Sequence, residues 1–429
     1  MILFILSFFI IFGPLLDIGM GLFSDVIIFL SLLLSLYVLG YKKRKIDKEI
    51  KKYIYISLAI ILYSILTFII FNLAHPEESI RVLLRPIRII ITFLGIYSLV
   101  LLYIDKYGVQ YINKILAHVY YSIAIHALIM VYQFIDPSFR NFIYSFTTAK
   151  YVLESNQLYR MAGLSGGGGA MISVFQSMGL LILPFLIKTE KKFFKKIIII
   201  IFSMVIILSI ILSGRSGMVT FAIFLPIIGI YFFIQSNILI KLKYLAIYFF
   251  SIIVIVFSFI WIYQNMLDEL DPYAKRAFER TFESVITYSQ TNKVQDQTVS
   301  ALQNMLVLPD TPLQFFFGEL HYLGGYRGVQ SDIGYIRYIY GYGVFGSILN
   351  YAFYIYALIY LYRNRKAYKD FSFLTSILLL TIMFFQMKEI FIFTKTGFSI
   401  TSLMLIAYIM YLKTDRGRYR YGLPNKTNK

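Results

Sequence analysis

The stretch Lys195 to Ile234 reads KKIIIIIFSMVIILSIILSGRSGMVTFAIFLPIIGIYFFI. Two apolar runs, 195–213 and 216–234, are joined by Ser213-Gly214-Arg215-Ser216-Gly217. Each run has the length that a helix needs to cross a bilayer, about 20 residues. The joint is too short to leave the membrane surface. The runs are continuous Ile, Leu and Phe rather than the alternating strands of a closed barrel, so helices are the structure that can satisfy the backbone in lipid.

The same rule applied outward gives spans at about 2–16, 22–41, 53–73, 87–104, 116–135, 167–187, 195–213, 216–234, 244–264, 335–361, 371–388 and 390–412. The expected fold class is all-α: a polytopic membrane bundle of about 12 transmembrane helices with a long helical external loop. Composition agrees. Fifty-nine per cent of the 429 residues are hydrophobic and only 15% are charged, too few charges to cover a water-facing surface of this size. Mean hydropathy is +0.72. The net charge of +19 does not point to nucleic acid, because the positive residues lie in short tracts between apolar runs. The absence of cysteine excludes disulfides and thiolate chemistry, and four scattered histidines argue against a metal cluster. No metal and no cofactor are expected.

Lys and Arg set the expected orientation. Lys42 to Lys52, Lys106 with Lys114, Lys188 to Lys196, Lys241 with Lys243, Arg363 to Lys369 and the tail from Lys413 fall on one side, read as the cytoplasm. Both termini are then cytoplasmic, and the first apolar run is read as a retained span rather than a cleaved leader. The organisation is residues 1–264 with membrane helices 1–9 and an external loop at about 136–166, a long extracytoplasmic loop 265–334, membrane helices 10–12 in 335–412, and a basic tail 413–429.

Ionisable residues at the outward ends of spans are costly there and default to functional candidates. Arg81, Arg85 and Arg88 share one helix face at the head of the fourth span, beside Pro86. They read as an anion site or as a headgroup-facing surface. Arg160 begins an R-x-x-G pattern ending at Gly163, before the glycine run 166–169. That is either a backbone cradle for an anion or a flexible joint. Arg215 in its tight hairpin points into a cavity or snorkels. A fourth block holds Phe317-Gly318-Glu319-Leu320-His321, Arg327, Ser331-Asp332, Arg337 and Gly341, Gly343 and Gly346. There Asp332 is either a reactive carboxylate or a plain helix cap, His321 a reactive or a surface histidine, and Gly341 and Gly346 read as helix packing. Together these residues predict an arginine-rich external cavity with one or two acids, suited to a lipid-borne phosphate or pyrophosphate. No nucleotide-binding or hydrolase motif is present.

In that order and placement, Arg160 to Gly163, the 213–217 hairpin, Phe317-Gly318 and Ser331-Asp332-Ile333-Gly334-Tyr335 leading to Gly346 resemble the O-antigen and capsule polymerase family (Wzy type) of the O-antigen ligase and polymerase superfamily. The resemblance implies a GT-C-like membrane glycosyltransferase in the bacterial cytoplasmic (inner) membrane. It would join undecaprenyl-pyrophosphate-linked oligosaccharide repeat units, as donor and acceptor, into O-antigen (a lipopolysaccharide component), capsule or exopolysaccharide. A flippase and a chain-length regulator are implied as partners, besides membrane lipids. Ligases of the superfamily carry a histidine where Ser331-Asp332 stands here, which favours a polymerase. The expected roles are Asp332, Arg215 and Arg160 as catalytic, with Arg81, Arg85, Arg88, Arg327 and Arg337 on the pyrophosphate. Glu319 and His321 are further candidates for the acceptor hydroxyl. The alternatives are an O-antigen ligase, a flippase or transporter of lipid-linked oligosaccharide, and a non-catalytic assembly scaffold.

Overall fold

A computed structural model describes residues 1–16, 24–71, 76–147, 160–165, 169–235, 275–276, 279, 302–318 and 331–420. Among the described residues the chain is all helical, with no strand beyond one isolated bridge between Leu15 and Asp25. In chain order the helices are α1 (Ile2–Phe12), α2 (Val26–Ser35, continued by a π-helical turn to Tyr41), α3 (Lys48–Phe71), α4 (Pro76–Tyr107), α5 (Tyr111–Ile135) and α6 (Pro137–Phe146). Then follow α7 (Gly169–Thr189), α8 (Phe193–Ser213), α9 (Ser216–Gln235), α10 (Pro312–Phe317), α11 (Gly334–Asn364), α12 (Lys369–Phe385) and α13 (Lys395–Arg420).

Seven helical stretches among the described residues are long and apolar enough to cross a membrane. The count differs from the twelve runs in the sequence for physical reasons. Leu84–Ile135 joins two helices through a tight turn and counts once, while Ile2–Phe12, Val26–Tyr41 and the 17-residue α12 fall short of the span length. The expected ninth span lies outside the described residues, as does most of the helical stretch expected in the long loop. The expected external loop at 136–166 opens with a helix, α6, whose Asp136 accepts hydrogen bonds from Ser138 and Phe139 N–H at 2.8 and 3.2 Å. α4 continues through Pro86 as one helical element.

The chain divides into two compact units, Met1–Ser122 with Gln297–Lys429 (unit 1) and Ile123–Asp296 (unit 2). Unit 1 is centred on aromatic rings. Phe353 lies 5.0 Å from Tyr53, 5.6 Å from Phe93 and 5.4 Å from Phe393, ring centroid to centroid. Small residues let helices approach: a Cβ on Gly95 of α4 would sit 2.3 Å from the Ser31 Cβ of α2. The glycine block of the sequence forms a joint. Gly318 and Gly343 both adopt positive φ, and a Cβ on either would meet the other's backbone or its neighbour's at 2.3 Å. Gly343 interrupts α11 there, and Tyr63 Oη donates to the carbonyls of Phe317 and Tyr342. Gly318 and Gly343 thus let the two backbones meet; of the glycines read as helix packing, Gly346 is the one whose Cβ would meet the Tyr63 ring at 2.3 Å.

In unit 2, α8 shows the lipid-solvated pattern plainly. Ile197, Ile201, Met204 and Leu208 are exposed on one face, and Ser203, Ile206, Ile210 and Ser213 are buried on the other. Exposed aliphatic residues at helical spacing are stable where the surrounding solvent is hydrocarbon.

Candidate functional site

Each unit carries a basic constellation of its own. In unit 2 it is built on the turn 160–165. Gly163 sits in the left-handed region at φ +63, and its amide and carbonyl are both taken by the buried Gln133 side chain at 3.0 Å. Leu164 N–H donates to His126 Nε2 at 3.1 Å, and the Gln176 amide meets Nδ1 at 2.6 Å. Tyr144 Oη accepts the Ala162 N–H at 2.9 Å. A side chain at Gly163 would collide with the His126 ring at 2.3 Å. The R-x-x-G turn is therefore a clamped element, not a loose joint.

The clamp places Arg160 against two helix starts. Met161 N–H donates to Leu212 O at 3.0 Å. A Cβ on Gly169, the first residue of α7, would meet Ser213 O at 2.5 Å and Arg160 Cδ at 3.3 Å. A Cβ on Gly214 would touch Gly169 at 3.3 Å, and one on Gly217 would meet Ser173 O at 2.3 Å. Gly217 N–H donates to Ser173 Oγ at 3.0 Å. Glycine is required at these contacts because α7 and the α8–α9 hairpin cross backbone to backbone. The N-termini of α7 and α9 thus abut, with Arg160 packed on one and Arg215 between Gly214 and the start of the other. Helix starts present bare N–H groups and the positive end of the helix dipole. Here two such starts lie at one joint, with Arg160 packed on Gly169 and Arg215 in the hairpin, beside the carbonyl of Ser213 at the end of α8.

A further arginine on α6 escaped the sequence reading. Arg140 is 8% exposed, and its buried Nε has no hydrogen-bond partner. It shares the buried face of α6 with Ile143 and Tyr144, the face that meets Ala162. Nothing in its sequence context separated it from an ordinary loop arginine.

In unit 1 the constellation gathers where α2, α4, α11 and α13 begin. The segment 386–394 between α12 and α13 is held open by side chains. Gln386 Oε1 accepts from Phe391 and Ile392 N–H at 2.7 and 3.0 Å, and Tyr354 Oη accepts from Phe393 N–H at 2.8 Å. Phe393 takes a positive φ of 56°, a strained choice for a bulky residue. Arg85 donates to Ile392 O at 3.0 Å and lies over the Tyr338 ring. Lys395 pairs at 2.5 Å with Asp25, which is 1% exposed and also caps α2 by accepting the Ile27 N–H. Arg88 is half-buried nearby, and its Nε has no hydrogen-bond partner.

Asp332 is not a plain helix cap. The cap position of α11 belongs to Ile333, without a side-chain bond. The Asp332 carboxylate instead accepts from Arg337 at 3.1 Å, while Arg337 Nε also reaches Ser331 O. The start of α11 docks on the 386–389 turn. Tyr335 N–H donates to Gln386 O at 3.2 Å, and a Cβ on Gly334 would meet Glu389 O at 2.3 Å. That contact brings Glu389 beside Asp332 and Arg337. Burial pushes the Glu389 carboxyl up to about 7, an effect Lys388 opposes, Asp332 adds to and Arg337 opposes.

No protein-family model matches the chain, and no curated protein matches its sequence. The site is read from its own chemistry. Of the residues singled out by sequence, Arg160 packs on the start of α7, which abuts the hairpin that carries Arg215. Arg85, Arg88, Arg337 and Asp332 belong to the unit 1 constellation. Arg81 lies on the α4 backbone, but its side chain, like Glu319, His321 and Arg327, lies outside the described residues. Asp25, Glu389 and Lys395 were missed. All three are ionisable residues at the margin of an apolar run, and that signal alone could have found them. No group of His, Cys, Asp or Glu suited to a metal occurs among the described residues.

Proposed function

We propose that this chain is a Wzy-type polymerase that joins undecaprenyl-pyrophosphate-linked oligosaccharide units on the outer face of the bacterial cytoplasmic membrane. In this reading the bundle is GT-C-like, has about twelve spans and keeps both termini in the cytoplasm. The observation that carries it is the unit 2 joint, where the start of α7 abuts the α8–α9 hairpin at three obligatory glycines, with Arg160 packed on Gly169 and Arg215 in the hairpin. Such a joint suits a doubly charged phosphate or pyrophosphate borne on a lipid. Unit 1 adds a second cationic set, Arg85, Arg88 and Lys395, with the buried carboxylate of Asp25 paired to Lys395. A polymerase handles two lipid pyrophosphates, one on the donor and one on the acceptor. Guanidiniums on the donor pyrophosphate would stabilise the charge that develops as it leaves.

Deleting the gene and running the surface polysaccharide on a gel tests the assignment. The expected result is loss of the polymer ladder with single repeat units still attached to their anchor. Polymer that accumulates without reaching its anchor would assign a ligase, and repeat units trapped inside the cell a flippase. Arg160→Lys and Arg215→Lys are expected to shorten or abolish the ladder at unchanged protein level, because a point charge replaces a bidentate fork. Full ladders from both variants would remove the joint from the mechanism.

A further inference from the structure

We propose that Arg140 is a binding residue for a lipid-borne phosphate, carried into unit 2 by α6 with its guanidinium turned away from the surface. The inference names what unit 2 binds and stands without the polymerase reading, since the ligand is defined by its phosphate oxygens and not by a sugar or a reaction.

Helix α6 is amphipathic the wrong way round. Its outward face carries Asn141, Phe142 and Ser145, with Phe142 63% exposed and its ring 5.3 Å from that of Phe146. Its inward face carries Arg140, Ile143 and Tyr144. An arginine near the end of an apolar span ordinarily reaches outward, to water or headgroups. Here the phenyl ring takes that side, and the arginine is packed inside with 8% of its surface exposed. One residue, Asp136, separates α6 from the apolar helix α5. In the last turn of α5, Tyr132 and Ile135 are also exposed. The outward faces of both helices suit the boundary between hydrocarbon and headgroups.

The inward charge has no compensation from the described residues. Arg140 Nε is sealed from solvent without a hydrogen bond, and the guanidinium makes no hydrogen bond or ion pair with any of them. Asp136, one turn back, spends Oδ1 on the N–H groups of Ser138 and Phe139. Among the guanidinium nitrogens only Nε is sealed, so the terminal pair stays open to a ligand. An arginine does not shed its proton to escape burial. An anion that enters therefore finds a charge already stripped of water, where a charge-assisted bond is strongest.

The position ties this charge to the R-x-x-G turn. Gln133 of α5 holds the amide and the carbonyl of Gly163, and Tyr144 accepts the Ala162 N–H. Arg140 stands in the chain between these two clamping side chains, on the same buried face as Tyr144, and all of them belong to unit 2. The guanidinium fork matches two phosphoryl oxygens at once, and a phosphate on a lipid arrives along the outward faces of α5 and α6. A polyprenyl pyrophosphate and a phospholipid headgroup present this same chemistry.

The test titrates the full-length protein, purified in detergent, with undecaprenyl pyrophosphate and separately with phosphatidylglycerol, and follows affinity and thermal midpoint. Arg140→Met is expected to weaken binding by about tenfold or more. Its midpoint without added lipid is expected to hold or rise, because an unpaired buried charge has gone. Weakening for undecaprenyl pyrophosphate assigns the site to a polyprenyl carrier, weakening for phosphatidylglycerol to a headgroup, and weakening for both to any lipid phosphate; each supports the inference. Unchanged affinity for both lipids overturns it, as does a wild-type protein that binds neither. If Arg140→Met is destabilised or fails to accumulate, Arg140→Lys decides: it keeps the charge and loses the fork, and wild-type affinity in that variant overturns the inference. The ladder of the deletion strain tests the reaction, so the two readings fail separately.

Discussion

The two ends of unit 1 treat their charges in opposite ways. At the end that the Lys and Arg distribution assigns to the cytoplasm, Asp105 faces Lys42 at 3.8 Å and Arg44 at 2.8 Å. Glu49 faces Lys52 at 2.9 Å, and Lys413 pairs with Asp47. These groups are a quarter to a half exposed for the most part, and each cation has water as an alternative partner. At the other end Asp25 is 1% exposed, Arg88 Nε is buried without a hydrogen bond, and Arg85 spends its guanidinium on a backbone carbonyl. The first arrangement is that of solvated surface pairs. The second holds cations in excess of acids where water is scarce, and such an arrangement is stable only if something else compensates the charge.

Three substitutions probe that contrast, read as thermal or denaturant unfolding of the purified protein in detergent. Asp25→Asn is expected to have the largest effect, a loss of about 2 kcal/mol, because the 1% exposed Asp25 side chain both caps α2 and pairs with the part-exposed Lys395. A loss as small as that of a surface pair would show that Asp25 is not the keystone of this end. Arg88→Met is expected to act in the opposite direction and raise stability by about 1 kcal/mol, since a part-buried charge whose Nε has no hydrogen-bond partner among the described residues gives way to an apolar chain of similar length. Destabilisation instead would mean the guanidinium has a compensating group in the purified protein. Asp105→Asn is expected to change stability by less than about 1 kcal/mol, with high salt shrinking the effect further. If it matched Asp25→Asn, the two ends would be energetically alike and the contrast would fail.

Much of the frame was legible in the residues. The apolar runs at 53–73, 116–135, 195–213 and 216–234 each became a helix within a few residues of the expected limits. A run of Ile, Leu and Phe bounded by Lys or Gly dictates its own structure. Less legible was the gap between 371–388 and 390–412, read as two nearly touching spans. In the structure α12 ends at Phe385 and α13 begins at Lys395, and the intervening segment is held by Gln386 and Tyr354. Glu389 emerged from that gap. The R-x-x-G turn was legible as a motif but not as a rigid one, because the residues that clamp it, His126, Gln133 and Gln176, look like ordinary polar residues inside apolar helices.

By itself the sequence determined that the chain is helical, apolar on its outward faces and charged between its helices. These properties follow from runs of neighbouring residues, whose hydrophobicity and backbone needs act locally. Only the tertiary structure decided which charges share a site. Arg85 and Ile392 stand 307 positions apart, and Tyr63 and Tyr342 279 apart. Contacts over such separations are set by how close two backbones can come at Gly334 or Gly343 and by which buried polar groups must find a partner. A single run of residues carries neither piece of information.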